Sequence, residues 1–527
     1  MTTSNDNNNA LDRSRFLALG EILARVSRKY PDKTALVFED RALTFREFNS
    51  RVNRLSAALA RRGVSRGDKV AVLMFNRLEV LESYFACQKL GACPVPINFR
   101  LVPNEVRYIL NNADAVGVIV DEPLEQLARE STEGTSSFVL ALNPTPEPGA
   151  DSYEQALSVE ADTEPDVVVN EDDLAFLMYT SGTTGLPKGA MLTHRNLVAN
   201  TVNWIMEIEA RHDDVWLSGL PLFHIGGVNG ILPFIYLGGT CVVTTSTGFD
   251  PAESLALIQK HDVTICYFVP TQWQQICTLP EVAHVDTSRL RKALWGASQA
   301  PVSTLELLTG TFPSVGIVNA FGQTEMSSNT CFLKPDDAVR KMGSVGKAAV
   351  NVEVRVVDDD MNDVAVGEIG EIVYRGPTVM KGYYRNDDAT REAFEGGWFH
   401  SGDLVKVDDE GFITVVDRKK DMIISGGENI YPAEIEQALA THPGVAEVTV
   451  VGVPHPKWVA TPLAVVVPSG ERPTEEELIS YAKEKIASYK KPSGVVFVDA
   501  LPRNAAGKVL RRQLRDEFSE RFTGASS

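Results

Sequence analysis

Tyr179-Thr-Ser-Gly-Thr-Thr-Gly-Leu-Pro-Lys-Gly189 concentrates three glycines, four Ser/Thr hydroxyls and one lysine into eleven positions. Glycines free backbone N–H groups to converge on anionic oxygens. The hydroxyls of Thr180, Ser181, Thr183 and Thr184 add donors, and Lys188 adds a positive charge. These residue types together suit a polyphosphate. The apolar run Leu174-Ala-Phe-Leu-Met178 predicts a buried strand before the stretch, and Thr193-His-Arg-Asn196 predicts a helix start after it. The expectation is therefore a strand-to-helix turn. Spacing excludes two familiar phosphate loops. A Walker A loop counted from Gly182 meets Pro187 where its second glycine belongs, and Gly189 follows Lys188 where a magnesium-binding hydroxyl is needed. The dinucleotide fingerprint Gly-x-Gly-x-x-Gly does not fit either. An ordinary Gly/Thr-rich surface loop has the same composition.

Five further strings carry groups of chemical interest. Gly296-Ala-Ser298 offers small residues where a ligand approaches backbone closely. Phe321-Gly-Gln-Thr-Glu325 joins a flat ring to a hydroxyl and a carboxylate, and on its own reads equally as a turn. Trp398-Phe-His-Ser-Gly-Asp403 ends in a carboxylate able to accept both hydroxyls of a diol, although Asp after Gly is common in turns. Ser425-Gly-Gly-Glu-Asn-Ile-Tyr-Pro432 puts two glycines ahead of a helix, and Pro502-Arg-Asn-Ala-Ala-Gly-Lys508 puts a lysine in a small-residue loop.

Taken in order, from about Leu43 to Arg512, these strings resemble the acyl-adenylate-forming (ANL) superfamily. Within it they resemble the AMP-dependent acyl-CoA synthetases and fatty-acid–CoA ligases. The resemblance implies an enzyme of the EC 6.2.1 type that uses ATP, Mg²⁺ and CoA. The ATP site would comprise Thr180, Ser181, Gly182, Thr183, Thr184, Gly185 and Lys188, with Gly296, Ala297 and Ser298 beside adenine. Phe321, Gly322 and Gln323 would follow the base, Thr324 would touch the α-phosphate and Glu325 would hold Mg²⁺. Asp403 would bind ribose, Arg418 would add a donor to ribose or phosphate, and Lys508 would be the adenylation lysine, a mobile point charge for developing anionic oxygens. Ser425, Gly426 and Gly427 would line the acceptor-thiol tunnel, and Lys420 would be the hinge residue. A substrate carboxylate would displace pyrophosphate from ATP, the C-terminal domain would pivot, and a thiol would then release AMP.

The resemblance also places His224, Gly226, Gly227, Val228, Trp295 and Met326 around the acyl pocket, with Phe321 as a further apolar wall. His224 is expected to position rather than to act as a base, because a carboxylate is already ionised at neutral pH; a hydrogen-bonded structural histidine is the competing reading. The small side chains from Gly226 to Asn229 suggest a roomy entrance, and no arginine in these segments favours a second carboxylate. A fatty acid, an aryl acid and a bulky alicyclic such as a steroid acid stay open. Trp458-Val-Ala-Thr461 departs from the Trp-Gly-Glu of many relatives. An acyl-AMP ligase that loads a carrier protein is therefore the alternative.

The elements expected to position these residues alternate strand and helix twice, which predicts two α/β subdomains with largely parallel sheets. The first contains a helix from Leu43 to about Arg62, strands Lys69–Met74 and Asp114–Val120, and a helix over Glu79–Leu90. An acidic, proline-bearing linker-like loop over Pro144–Asp173 is expected before the cradle. The second places strands at 215–220, 240–244, 264–269, 292–295 and 316–318. Short alternating strands from Gly346 to about Val416 predict a small β-barrel or sheet. The resulting domain reading is an adenylation region over 1–417, a hinge over 418–421 and a small mobile α+β domain over 422–527. In that domain Thr474-x-x-Glu477 reads as a capping box, and Arg511, Arg512 and Arg515 read as a solvated helix face.

Composition bounds the rest. A chain of 527 residues with net charge −19 is not a general nucleic-acid binder. Six scattered cysteines without a Cys-x-x-Cys pair suggest reduced thiols in the cytoplasm. No apolar stretch of about 18 residues or signal-peptide pattern appears, so no membrane span is expected. Peripheral membrane contact and a homodimer are left open.

Overall fold

The computed structural model describes residues 11–143, 152–180, 186–297, 300–425, 428–503 and 509–522. Two compact units emerge: residues 1–353 with 374–399, and residues 354–373 with 400–527.

The first unit holds two sheets and a hairpin. Strands β1 (Thr34–Phe38) and β2 (Arg41–Thr44) open the chain. β3 (Lys69–Leu73), β4 (Cys93–Pro96), β5 (Ala115–Val120) and β6 (Phe138–Ala141) form a parallel sheet in the order β4-β3-β5-β6. Next come β7 (Leu174–Thr180), β8 (Lys188–Thr193), β9 (Val215–Ser218), β10 (Thr240–Val243), β11 (Ile265–Tyr267), β12 (Lys292–Gly296), β13 (Gly316–Gln323), β14 (Ser328–Leu333) and β15 (Lys347–Ala348). The large sheet runs β15-β14-β13-β12-β11-β9-β10-β1-β2, parallel from β13 to β1 and antiparallel at both ends. Its central strands β9 to β12 are mostly apolar and buried, and Leu217, Cys266, Ala293, Phe268 and Trp273 lie in one buried cluster. The expected α/β alternation is present twice. The hairpin β1–β2, which precedes the first alternation in sequence, joins the second sheet through β10.

The acidic stretch expected as a linker is held down by basic partners. Lys89 Nζ lies 2.5 Å from Glu164 and donates to Asn49 and Asn53, Arg61 pairs with Glu160 at 2.7 Å, and Arg66 with Asp173 at 2.8 Å. The described part of this stretch contains a short helix, Tyr153–Ser158.

In the second unit, β16 (Glu353–Val357), β17 (Gly370–Arg375), β18 (Phe399–Val407) and β19 (Ile413–Arg418) form a four-stranded sheet in that order. This is the sheet form of the expected barrel or sheet. A second sheet contains β20 (Ile423–Ser425), β21 (Glu428–Ile430), β22 (Val445–His455), β23 (Val459–Pro468) and β24 (Gly494–Phe497), in the path β21-β20-β23-β22 with β24 on β23. The Thr474 capping box is formed, with Glu477 N–H donating to Thr474 Oγ1 at 3.1 Å. All six cysteines are buried free thiols. Among the described residues no helix is long and apolar enough to cross a membrane.

Candidate active site

The phosphate-cradle residues Ser181, Gly182, Thr183, Thr184 and Gly185 lie outside the described residues, as do Ser298, Gly426, Gly427 and Lys508. Their flanks are described, and they correct one expectation. β7 and β8 are antiparallel partners, with Thr180 opposite Lys188 and Tyr179 opposite Gly189. The stretch therefore joins two strands of a hairpin rather than a strand to a helix. The helix α1 (His194–Glu207) starts only after β8, with Thr193 and Asn196 forming its capping box. The described flank after the loop is therefore a strand opening on Lys188, and no helix N-terminus follows until His194.

The motif Phe321–Glu325 is also a turn between strands. β13 continues to Gln323, further than the expected stop at Val318, a short 3₁₀ turn carries Thr324–Met326, and β14 returns antiparallel. A side chain at Gly322 would place its Cβ 1.8 Å from the Ser328 carbonyl oxygen, so glycine is required there by strand approach. Two buried asparagines hold the turn from behind. Asn200 of α1 donates to the carbonyls of Met326 (3.4 Å) and Asn329 (2.7 Å). Asn229, on helix α2 (Ile225–Leu237), donates to Asn200 Oδ1 at 2.7 Å, to Ser328 Oγ at 3.2 Å and to the Ser327 carbonyl. Ser327 and Ser328 both adopt positive φ, 58° and 105°, a strain these bonds over-determine.

The turn delivers Glu325 to the hairpin. Tyr383 donates its hydroxyl to Glu325 Oε1 at 2.9 Å, and Thr180 Oγ1 lies 3.4 Å from the same oxygen. Lys188 Nζ stands 5.2 Å from the centroid of the Tyr383 ring. Residues 381–384 are stitched along β8: Lys381 N–H donates to Met191 O, Met191 N–H to Gly382 O and Tyr384 N–H to Gly189 O, each between 2.8 and 2.9 Å. Met380 N–H donates to the Glu325 carbonyl at 2.7 Å, and Asn196 Nδ2 donates to the carbonyls of Pro377 and Val379. Burial pushes the Tyr383 phenol up, with the Glu325 charge adding to it. Thr180 thus meets Glu325 directly, Lys188 stands beside both through the Tyr383 ring, and Thr324 precedes Glu325 in the 3₁₀ turn. Tyr383 was missed, because a tyrosine 58 residues downstream carries no spacing signal.

Glu325 is only partly buried and makes no ion pair among the described residues. A carboxylate with one oxygen taken by hydroxyl donors fits a hard divalent cation.

Gly296 ends β12 where a Cβ would lie 2.2 Å from Ala320 O and 2.4 Å from the Tyr267 hydroxyl, and Ala297 has φ 65°. The small residues here are imposed by the neighbouring strand as well as suited to a ligand. Phe321 is partly exposed.

The acyl-pocket candidates divide. His224 caps α2, its Nδ1 accepting from Gly226 N–H at 3.1 Å, and burial holds its imidazole below the ordinary histidine range. Neutral, with its proton on Nε2, it holds the helix start through this bond, which is the structural reading of His224. Most of the small residues read as a roomy entrance pack closely against their own neighbours. A Cβ on Gly227 would lie 2.3 Å from Pro221 O, and one on Gly230 would lie 2.6 Å from the Trp216 ring. Val228 and Asn229 are buried at 2% and 0% exposure. Gly226 alone of these keeps a partly open side. Trp295 packs in the large sheet's core cluster, and Met326 is fully buried.

In the second unit Asp403 and Arg418 are cross-strand partners on β18 and β19, joined by a 2.7 Å ion pair. Gly402, at φ 71°, donates its N–H to Glu371 Oε1 at 2.9 Å, and Arg418 also donates to Ser401 O at 3.0 Å. Ser425 ends β20 opposite Val459, a β-branched residue at φ 70° and 84% exposed. Lys420 is exposed at the surface, with part of its stem covered. Burial lowers its ammonium against the pull of Asp421, and Arg418, Arg515 and Arg511 lower it further. Arg511 is not a solvated residue. It pairs with Glu436 at 2.7 Å, Asp421 at 3.2 Å and Asp417 at 3.6 Å, whereas Arg512 is exposed as expected.

The family description "AMP-binding enzyme" matches residues 23–384, and "AMP-binding enzyme C-terminal domain" matches residues 434–508. The chain belongs to the AMP-binding enzyme family. It is 39% identical to a feruloyl-CoA synthase of Amycolatopsis sp., covering 96% of this chain and 100% of that one. It is 36% identical to the long-chain-fatty-acid–CoA ligase FadD13 of Mycobacterium tuberculosis, covering 91% and 94%. An o-succinylbenzoate coenzyme A synthetase of Bacillus subtilis, solved with ATP and magnesium ion, superposes with a TM-score of 0.83 at 33% identity, covering 94% and 99%. As a member of the AMP-binding enzyme family the chain is an AMP-forming acyl-CoA ligase. It activates a carboxylic acid with ATP and passes the acyl group to CoA, and its chemistry uses Mg²⁺.

Proposed function

We propose that the acid is a bulky apolar monocarboxylic acid, fatty or aryl, and that the reaction is carried by two groups of residues. The observation that carries this reading is Glu325, a carboxylate with hydroxyl donors on one oxygen and no ion pair among the described residues. Glu325 would hold Mg²⁺, which when bound neutralises phosphate charge. Lys188, Thr180 and the residues 181–185 would bind the phosphates, Thr324 would contact the α-phosphate, and Gly296 to Ser298 with Phe321 would accommodate adenine. Asp403 would accept the ribose hydroxyls with Arg418 beside it, and Lys508 would stabilise the oxygens gaining charge as pyrophosphate leaves. Ser425, Gly426 and Gly427 would serve the thiol, and Lys420, within the segment 418–421, would be the hinge residue.

The apolar acid is supported by α2, whose run Ile225–Leu237 contains no charged side chain, and by the similarity to a feruloyl-CoA synthase and a long-chain-fatty-acid–CoA ligase. His224 would position this helix and leave proton transfer aside, since the acid enters as its carboxylate. A cytoplasmic setting is supported by six buried unpaired thiols. A homodimer and peripheral membrane contact form no part of the reading.

The test separates the half-reactions. Lys508→Ala should lower pyrophosphate release by a factor of at least about 100, the order expected for a group stabilising transition-state charge. The same variant should retain thioester formation from supplied acyl-adenylate and CoA. Equal loss of both would overturn the assignment of Lys508.

A further inference from the structure

We propose that Tyr383 is a positioning residue for the cation-binding carboxylate, fixing which Glu325 oxygen faces the metal. The inference rests on the reading of Glu325 as the Mg²⁺ ligand. Tyr383 touches both charged groups of the first unit's site. Its hydroxyl donates to Glu325 Oε1 at 2.9 Å, and its ring lies under Lys188 Nζ at 5.2 Å from the centroid. Thr180 Oγ1 is a second, longer donor to the same oxygen at 3.4 Å. Both described hydrogen bonds to the carboxylate therefore fall on Oε1, and Oε2 is the oxygen left for a cation. A monodentate carboxylate held by hydroxyl donors on its other oxygen is how outer partners orient a metal ligand, and their removal commonly costs 10–100-fold in metal affinity.

The tyrosine is itself held firmly. Its backbone bridges to Ala190 on β8, Tyr383 N–H donates to Thr390 Oγ1 at 2.9 Å, and Gly382 and Tyr384 are bonded to β8 on either side. β8 also begins with Lys188. One strand thus sets both the lysine and the tyrosine that orients the carboxylate, and the separation of cation and anion is fixed through a single ring. Thr180 cannot substitute for this donor, since its contact is at the limit of a hydrogen bond and its hydroxyl also reaches Lys188 O at 3.5 Å.

Tyr383→Phe removes the hydroxyl and keeps the ring beneath Lys188. Calorimetric titration of ATP, once in EDTA and once with saturating Mg²⁺, gives the gain in nucleotide affinity due to the cation for wild type, Tyr383→Phe and Glu325→Gln. Glu325→Gln should lose most of that gain. Tyr383→Phe should reduce it by about 10-fold, with affinity in EDTA unchanged. An unchanged gain in Tyr383→Phe beside a lost gain in Glu325→Gln overturns the role of Tyr383 and leaves the metal assignment standing. An unchanged gain in Glu325→Gln overturns the metal assignment itself, and the inference with it. Equal weakening of Tyr383→Phe with and without Mg²⁺ shows a purely structural tyrosine and also overturns the inference.

Discussion

Arg511 shows how a residue's neighbours decide what its charge does. In sequence it belongs to a run with Arg512 and Arg515, and such runs usually face water. In the fold its guanidinium forks onto both oxygens of Glu436, each at 2.7 Å, and reaches Asp421 at 3.2 Å. Burial pushes the Glu436 carboxyl up, so removing its partner strands a poorly solvated charge. Arg511→Met should therefore destabilise the chain by about 3 kcal/mol in urea unfolding, and adding Glu436→Gln should recover part of that loss. Arg512→Met, at an exposed pair 3.9 Å apart, should cost under about 0.5 kcal/mol. Equal costs for the two arginines would restore the solvated-face reading. The sequence could not separate them, because Glu436 and Asp421 lie 75 and 90 residues away from Arg511. Tyr383 was invisible for the same reason. Glu325, Lys188 and Asp403 were legible because their local strings carry the chemistry within a few positions.

At the scale of elements, local signals located most strands and helices to within a few residues, and pairing was what they could not supply. The β7–β8 hairpin was read as strand and helix because Leu174–Met178 and Thr193–Asn196 are strong signals, whereas Lys188–Leu192 is a short mixed run. The β1–β10 pairing joins segments some 200 residues apart, and nothing in either strand specifies the other. α1 has its own test. His194, its first residue, is fully buried; its Nδ1 accepts from Leu19 N–H at 3.2 Å, and burial lowers the imidazole to about 4, with Asp173 opposing only in part. Its folded value is below that of an unfolded histidine, so the unfolded chain binds the proton more readily. The stabilisation is whole above about pH 6.5 and is lost as pH falls toward 4. Between pH 7 and 5 wild type should lose about 2 kcal/mol more stability than His194→Gln in urea unfolding. Parallel pH profiles for the two proteins would contradict the buried neutral histidine.

The whole molecule comprises two compact units, and the family description matches each side of residues 384–434 separately. The second unit takes in residues 354–373 and 400–417 along with the chain beyond 418. Sequence patterning found the change to short strands near 346, but period-2 runs cannot say which neighbour a small sheet packs against. What the molecule does follows from its membership of the AMP-binding enzyme family; the apolar acid is a proposal resting on helix α2, whose run carries no charged side chain. One experiment tests both together: mass spectrometry of products from ATP, Mg²⁺ and a panel of fatty, aryl and dicarboxylic acids, with and without CoA. The expected products are acyl-CoA and AMP from an apolar monocarboxylic acid, and acyl-AMP with pyrophosphate from the same acid when CoA is left out. Thioester formed only from a dicarboxylic acid would contradict this reading, as would acyl-AMP that persists unchanged after CoA is added.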